Sequence, residues 1–445
     1  MNQQLAAKIT RVLSIVIAIV LVLLPFYGFM TVWGASLIGH YTLVRLWKEY
    51  VIAAVGLVGL LLLIWDRPIR KGLIKQQLFW IIAGYVLLEL VVGFSAYSHH
   101  AVSGKALAYG MLEDLRYVLF FVLVAAIVAR DDWLLRHWKP LLLIPAALVV
   151  LFGLLEVTVL PHNFLAHFGY SKHTIPAYET VNSNSHFIRA QSTLRGANPL
   201  GAYLVMILAV LSALLVKSRV RRDQLLLGVG WVVTLVVLFL TYSRGAWIGA
   251  VLSVAIVATL GIRNRRFWRW AAVVAVILVV AAGLTFFALR HNSHFQDIVF
   301  HTSPHTVATT SDQKHLQALR QGLHSLADAP LGHGPGTAGP ASVYNHYHAP
   351  RIAEDYFIQI GQDTGWLGLA LFLMINAIVG ILLWRQRTSA LALALFASLI
   401  GLSFVGLVSY VWSDDTLSYL WWGVAAIALG APLFEAQLKE RNGHR

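Results

Sequence analysis

The chain has 445 residues, of which 58% are hydrophobic and 12% charged, and its net charge is +14. Apolar runs far longer than a soluble core needs exclude an ordinary water-soluble domain, because a bilayer core about 30 Å thick takes roughly 20 apolar residues per helix. With no cysteine, neither a disulfide nor a thiolate metal site can form.

In chain order, the first run, RVLSIVIAIVLVLLPFYGFM, is too long for a signal-peptide core and lacks a small-residue cleavage site, so it is expected to remain as the first helix. Reading apolar runs between charged punctuation predicts about twelve spans, a number set by the length a bilayer requires. They fall near residues 11–30, 50–65, 78–97, 116–130, 140–160, 198–216, 225–242, 245–262, 270–289, 363–384, 389–410 and 418–434. The expected fold class is therefore an all-α polytopic membrane protein, with residues 1–445 as one integral membrane domain.

Most of the 34 Lys and Arg fall in one set of loops, DRPIRKGLIKQQ, ARDDWLLRHWKP, KSRVRRDQ, RNRRFWR and RQR, and in the two tails. Positively charged loops stay in the cytoplasm, so both termini are expected inside. The basic balance is then a topology signal that faces anionic lipid, and no nucleic-acid partner is implied.

This placement leaves two long polar segments outside, residues 161–197 and residues 290–355. Loops of this length are usually functional or disordered. Within the second, SDQKHLQALRQGLHSLAD reads as an amphipathic helix. Ser311 is its N-cap, Leu316, Leu319, Leu323 and Leu326 recur at helical spacing, and Lys314, Gln317, Arg320, Gln321 and His324 lie on the other face. APLGHGPGTAG then stops the helix in a tight turn. Nearly all of the 18 histidines fall on the external side, but pairs such as His99-His100 and His346-Tyr-His348 lack further ligands at metal-site spacing.

Three arginines end up at external ends of spans: Arg189 and Arg195 in RAQSTLRGANPLG, and Arg244 in LTYSRGAWIG. An arginine deep in lipid is expensive, so either these side chains snorkel to headgroups or their fixed guanidinium forks bind phosphate oxygens of a lipid diphosphate. Other acids carry weaker expectations. Asp414 and Asp415 in SYVWSDDTL are expected in a solvated turn, whereas Glu89 and Glu156 fall inside spans as a relay or as buried pairs.

These residues carry a resemblance. Arg189, Thr193, Asn198, Leu200 and Gly201 match R-x-x-G-T-F-x-x-P-N-x-L-G, with Ser192 for Gly and Ala197 for Pro. Thr241, Ser243, Arg244, Gly245 and Ala246 match T-x-S-R-G-A. Pro330, Leu331 and GHGPG match P-L-x-G-x-G-P-G, and Gln359, Gly365 and Gly368 fall in register with H-N-x-Y-L-Q-x-x-x-E-x-G-x-x-G. In this order and spacing, over residues 185–385, the chain resembles the O-antigen ligase and O-antigen polymerase superfamily of bacterial surface-polysaccharide enzymes. It departs from the pattern at Glu354, where ligases carry a histidine, at Asp355 in place of Asn, and at Asp363 in place of Glu.

The resemblance implies a glycosyltransferase in the bacterial inner membrane with its site on the outer face. It would pass a glycan from undecaprenyl diphosphate to an acceptor hydroxyl on a glycan, lipid or protein, with no metal, nucleotide or other cofactor. Arg189, Arg195, Arg244 and Asn198 would hold the diphosphate. Glu354 or His348 would take the acceptor proton, Arg351 would orient a phosphate or sugar, and Gln359, Asp363 and Arg320 would support the site. The external loop 290–355 would form part of that site. The absence of G-x-x-x-x-G-K-[ST] fits the lack of a nucleotide. The competing expectation is a transporter or lipid-linked glycan flippase, which would gather its acids at a midplane site.

Overall fold

Long apolar runs can cross lipid only if every backbone polar group is satisfied within the segment, and a helix does this locally. The computed structural model describes residues 3–181, 184–266, 268–269, 284–285, 287–288 and 311–433. The first half of the chain holds α1 (Gln3–Leu23), α2 (Tyr27–Ile38), the short α3 (Tyr41–Arg45), α4 (Trp47–Trp65), α5 (Arg67–Lys75), α6 (Gln77–Ser98), α7 (Gly104–Val128) and α8 (Trp133–Thr158). A small antiparallel hairpin, β1 (Glu179–Val181) and β2 (Asn184–Arg189), precedes α9 (Ala197–Lys217), α10 (Arg221–Leu240) and α11 (Arg244–Gly261). Further along the chain are α12 (Ser311–Asp328), α13 (Tyr356–Arg385), α14 (Ala390–Gly406) and α15 (Asp415–Leu433).

Among the described residues, eight helical segments are long and apolar enough to cross a membrane: Gln4–Ile38, α4, α6, α8, α9, α10, α11 and α13. α14 is apolar but shorter. The expected span 270–289 lies almost wholly outside the described residues, as do residues 290–310 of the expected loop and the C-terminal residues 434–445. α7 departs from the expected span 116–130, because it starts at Gly104, where the Ser103 hydroxyl accepts from Ala106 N at 3.3 Å. The charges of Glu113, Asp114 and Arg116, which read as a loop, thus lie inside a helix.

The core is built around α9, whose side chains from Leu200 to Leu214 are buried between α10, α11 and α14. Beside it, α7 packs on α15 through aromatic contacts, with Tyr117 5.4 Å from Trp422 and Phe120 5.3 Å from Tyr419. The lipid-facing surface falls on α4, α6 and α10, which expose Leu57, Leu60, Ile64, Leu87, Leu90, Phe94, Leu225, Val229 and Val232. Apolar side chains on that surface are what a bilayer solvates.

The loop before α13 is built into the bundle by a broken helix. Gly365, at φ 71°, interrupts α13 and leaves carbonyls of the first segment and amides of the second without helical partners. The PLGHGPG turn supplies those partners. His333 N donates to Gln362 O at 2.8 Å, Gly334 N to Asp363 O at 2.9 Å, and Trp366 N to Pro330 O at 3.0 Å. The Asp363 carboxylate then accepts from Ala338 N at 2.9 Å, Thr337 N at 3.2 Å and the Thr337 hydroxyl at 3.1 Å.

α12 occupies the expected residues, but only part of its leucine stripe is covered. Leu326 is buried against Gly361, and Gly322 allows close approach to Ala353 and Ile358, while Leu316 and Leu323 remain exposed.

The same turn lies so close to α7 that a Cβ on Gly336, at φ 83°, would sit 2.1 Å from Ala106 O. Gly336→Ala is expected to cost about 2 kcal/mol or more through strain and overpacking, read as a lower melting temperature of the detergent-solubilised protein. A substitution at Gly228, where an added Cβ meets nothing within 4 Å, should leave that temperature nearly unchanged.

Candidate active site

The RAQST stretch is clamped from several sides before it reaches α9. Glu156, inside α8, accepts from Gln191 N at 3.0 Å and Ser192 N at 2.7 Å, so this intramembrane acid is a brace for the loop rather than half of an ion pair. The Ser192 hydroxyl donates to Val149 O at 2.8 Å, the Thr193 hydroxyl to Pro25 O at 2.7 Å, and Phe29 N to Thr193 O at 3.1 Å. Arg189 is spent in the same way. Its Nε donates to Thr241 O at 2.8 Å, Nη2 to Asn198 Oδ1 at 2.6 Å and Nη1 to Glu179 Oε2 at 3.3 Å. Burial lowers the pKa of this guanidinium, with Glu179 opposing. Arg189 therefore ties β2 to both the end of α10 and the start of α9, and Asn198 is one of its anchors.

This clamp delivers Arg195 into a cavity of about 330 Å³ at the loop-rich end of the bundle. Tyr27, Thr31, Tyr41, Arg45, Tyr109, Glu113, Ile175, Pro176, Arg195, Pro340, Ala341 and Tyr344 contribute to its walls. Three of these, Pro340, Ala341 and Tyr344, come from the loop between α12 and α13. Its size is that of a small-ligand site, and two guanidinium side chains and one carboxylate line it.

Behind the cavity lies a buried ionic cluster. Asp415, at the start of α15, is 2% exposed and pairs with Lys48 Nζ at 3.1 Å and closely with Arg116. Arg195 Nη1 stands 3.8 Å from Asp415, and its Nε 3.8 Å from Asp414. Lys48 also pairs with Glu49 at 2.7 Å and sits 3.8 Å from the centre of the Tyr27 ring. Arg116 Nη2 donates to Ser413 O at 2.7 Å. Burial opposes the charge on Arg195, but Asp415 and Asp414 hold its pKa above the ordinary value. Burial likewise raises Asp414, with Arg195 opposing. The expectation of a solvated Asp414-Asp415 turn is thus corrected: both carboxylates are buried because cations from α4, α7 and the 190–196 loop meet them there.

The other expected residues distribute unevenly. Gln359 donates from Nε2 to Glu113 Oε1 at 2.9 Å at the cavity's edge. Arg244 opens α11 and is half-buried, but it is not among the cavity's lining residues. Glu354 is half-buried in a left-handed conformation, φ 57°, with its N–H donated to the Tyr410 hydroxyl at 2.8 Å. His348 and Arg320 are exposed. Arg351 bridges Ala338, its carbonyl accepting from Gly339 N at 2.9 Å, and burial lowers its pKa with Asp363 opposing.

Arg45, Lys48, Glu113 and Arg116 escaped the sequence reading. Their signal was charge embedded in apolar runs, Glu-Asp-Leu-Arg in α7 above all, which a span boundary placed at 116 converted into a loop. Glu89 is buried in α6 beside Tyr85, with no ion-pair partner among the described residues. Among the described residues, no three or more His, Asp or Glu are grouped as metal ligands.

The described residues thus form a polytopic helical bundle of the membrane-protein class, with a cavity lined by arginines and tyrosines at its loop-rich end. Residues 229–373, about a third of the chain, match the family model described as O-antigen ligase. The resemblance read from the motifs is borne out by that match, which spans Arg244, α12, the glycine-rich turn and the first half of α13. No curated protein matches the chain.

Removing one partner from a buried ion pair strands the other charge, at a cost of about 3–5 kcal/mol. Asp415→Ala, which removes the ion-pair partner of Arg116 and leaves Lys48 with Glu49 alone, should therefore abolish or sharply reduce recovery of monodisperse protein in size-exclusion chromatography. Asp132→Ala, which removes a pair whose side chains are 63% and 57% exposed, should leave recovery unchanged.

Proposed function

We propose that this chain is a membrane glycosyltransferase. It transfers or polymerises a glycan carried on undecaprenyl diphosphate, with an acceptor hydroxyl on a glycan, lipid or protein as its target, at the outer face of the bacterial inner membrane. The observation that carries this reading is the cavity in which Arg45 and Arg195 face a wall, Pro340 to Tyr344, contributed by the segment that matches the O-antigen ligase family. The asymmetry of positive loops supports placing the cavity end outside and both termini inside.

In this reading the departing diphosphate supplies the driving force, and charge developing on its oxygen is met by guanidinium groups already in place. Arg195 suits the task because the clamp fixes its backbone while the carboxylates of Asp414 and Asp415, at 3.8 Å, balance its charge without hydrogen-bonding it closely. The aromatic side chains of Tyr41, Tyr109 and Tyr344 in the cavity's walls suit contact with a sugar. Arg244 and Arg351 do not line the cavity, and Glu354 and His348 lie in the stretch between its Tyr344 wall and α13. Neither metal nor nucleotide enters the reaction as proposed, because the arginines supply the positive charge.

One observation favours a second reading. Glu89 is buried within the bundle beside Tyr85 with no ion-pair partner among the described residues, as a carrier's coupling acid would be.

The test is glycan transfer from a synthetic undecaprenyl-diphosphate oligosaccharide by purified protein in nanodiscs. Wild type is expected to release undecaprenyl diphosphate in the presence of acceptor, and Arg195→Ala to lose about 10²-fold or more in turnover while remaining folded. Binding without release under any acceptor, together with loss of that binding in Glu89→Gln, would favour the carrier.

A further inference from the structure

Two cationic side chains can receive a leaving diphosphate, but transfer to a hydroxyl also needs a group to take the acceptor's proton, and that group must reach the same cavity. We infer that Glu113 is that base. The inference rests on the glycosyltransferase reading and adds to it a residue that neither the motifs nor the family match indicates.

Glu113 is the one carboxylate among the cavity's described lining residues, and it shares that lining with Arg45 and Arg195. Its side chain is held rather than loose. Gln359 Nε2 donates to Glu113 Oε1 at 2.9 Å, and the Ser413 hydroxyl lies beside both side chains, 3.5 Å from Gln359 Oε1. Gly339 closes on the same amide, since a Cβ there would lie 2.2 Å from Gln359 Cδ. Ser413 is held in turn through its carbonyl by Arg116, which pairs with Asp415. The carboxylate that faces acceptor and the ion cluster that backs Arg195 therefore belong to one connected framework. A base fixed within hydrogen-bond reach of its proton is the geometric requirement for this kind of catalysis.

Glu354 and His348 do not meet that requirement, because neither lines the cavity. The left-handed turn at Glu354 instead directs its N–H to Tyr410, just before α13 begins.

The step balances as follows. The acceptor O–H bond breaks and its proton moves to a Glu113 carboxylate oxygen. The freed oxygen pair forms the bond to the anomeric carbon, and the bond from that carbon to the phosphate oxygen breaks with its electron pair remaining on the diphosphate, whose charge Arg45 and Arg195 receive. Protonated Glu113 then returns its proton to solvent or to the departing diphosphate.

An acceptor that is already anionic needs no base, and this separates the role of Glu113 from any part it plays in folding or donor binding. Wild type and Glu113→Gln are compared in nanodiscs with undecaprenyl-diphosphate oligosaccharide and either a sugar hydroxyl acceptor or azide. The expected result is a loss of about 10²-fold or more with the hydroxyl acceptor in Glu113→Gln. Glycosyl azide should meanwhile form at the same rate in both proteins.

Hydroxyl transfer by Glu113→Gln within threefold of wild type overturns the inference. So does equal loss of hydroxyl and azide transfer in a variant that still binds the lipid. If Glu113→Gln does not fold, Glu113→Asp is read instead. It must slow hydroxyl transfer at least tenfold with azide unaffected, and equal slowing of both overturns the inference. A wild type that binds lipid and transfers to neither acceptor sinks the glycosyltransferase reading itself, and the role of Glu113 with it.

Discussion

Burying charge in an apolar helix bundle is tolerated only when each charge meets its opposite with good geometry. In this protein that condition is met at Asp415, where Lys48 from α4, Arg116 from α7 and Arg195 from the loop before α9 converge on one carboxylate. Each cation alone would be a liability near lipid. Together they join the first half of the chain to α15 and leave a charge-balanced cluster behind the cavity, with Arg195 at its edge.

A second constraint works through the backbone. A helix broken at Gly365 must have its freed amides and carbonyls satisfied, and in lipid no water is available to do it. The turn at residues 330–338 does so with three backbone hydrogen bonds and with the Asp363 carboxylate. The segment between α12 and α13 is thereby held against α7, where Tyr344 stacks on Tyr109 at 4.8 Å. One wall of the cavity thus comes from the loop, and its position follows from the helix break.

Much of the fold was legible because lipid imposes a length on apolar runs that sequence displays directly: α4, α6, α8, α9, α10 and α11 fall close to the expected spans. α12 was legible from its leucine spacing, although Leu316 and Leu323 of that stripe stay exposed. The candidate site was legible in part. Arg195 was recognisable from its place before α9, and Gln359 and Asp363 from the register of the motif. Arg189 has the same sequence signature as Arg195, but Thr241, Asn198 and Glu179 occupy it, and nothing local in the sequence distinguishes an arginine that braces from one that faces a cavity. The ion cluster was illegible for a different reason. Its members come from four separated segments, so each charge looks like a solvated residue until the others are beside it.

The central claim is that Arg45 and Arg195 line a cavity suited to a lipid diphosphate. The most direct measurement is native mass spectrometry of the protein released from nanodiscs containing equal amounts of undecaprenyl diphosphate and undecaprenyl monophosphate. Wild type and the Arg45→Gln/Arg195→Gln double variant would be compared. The account predicts selective retention of the diphosphate by wild type and loss of that selectivity in the variant. Equal retention of both lipids by wild type, or unchanged selectivity in the variant, would contradict it.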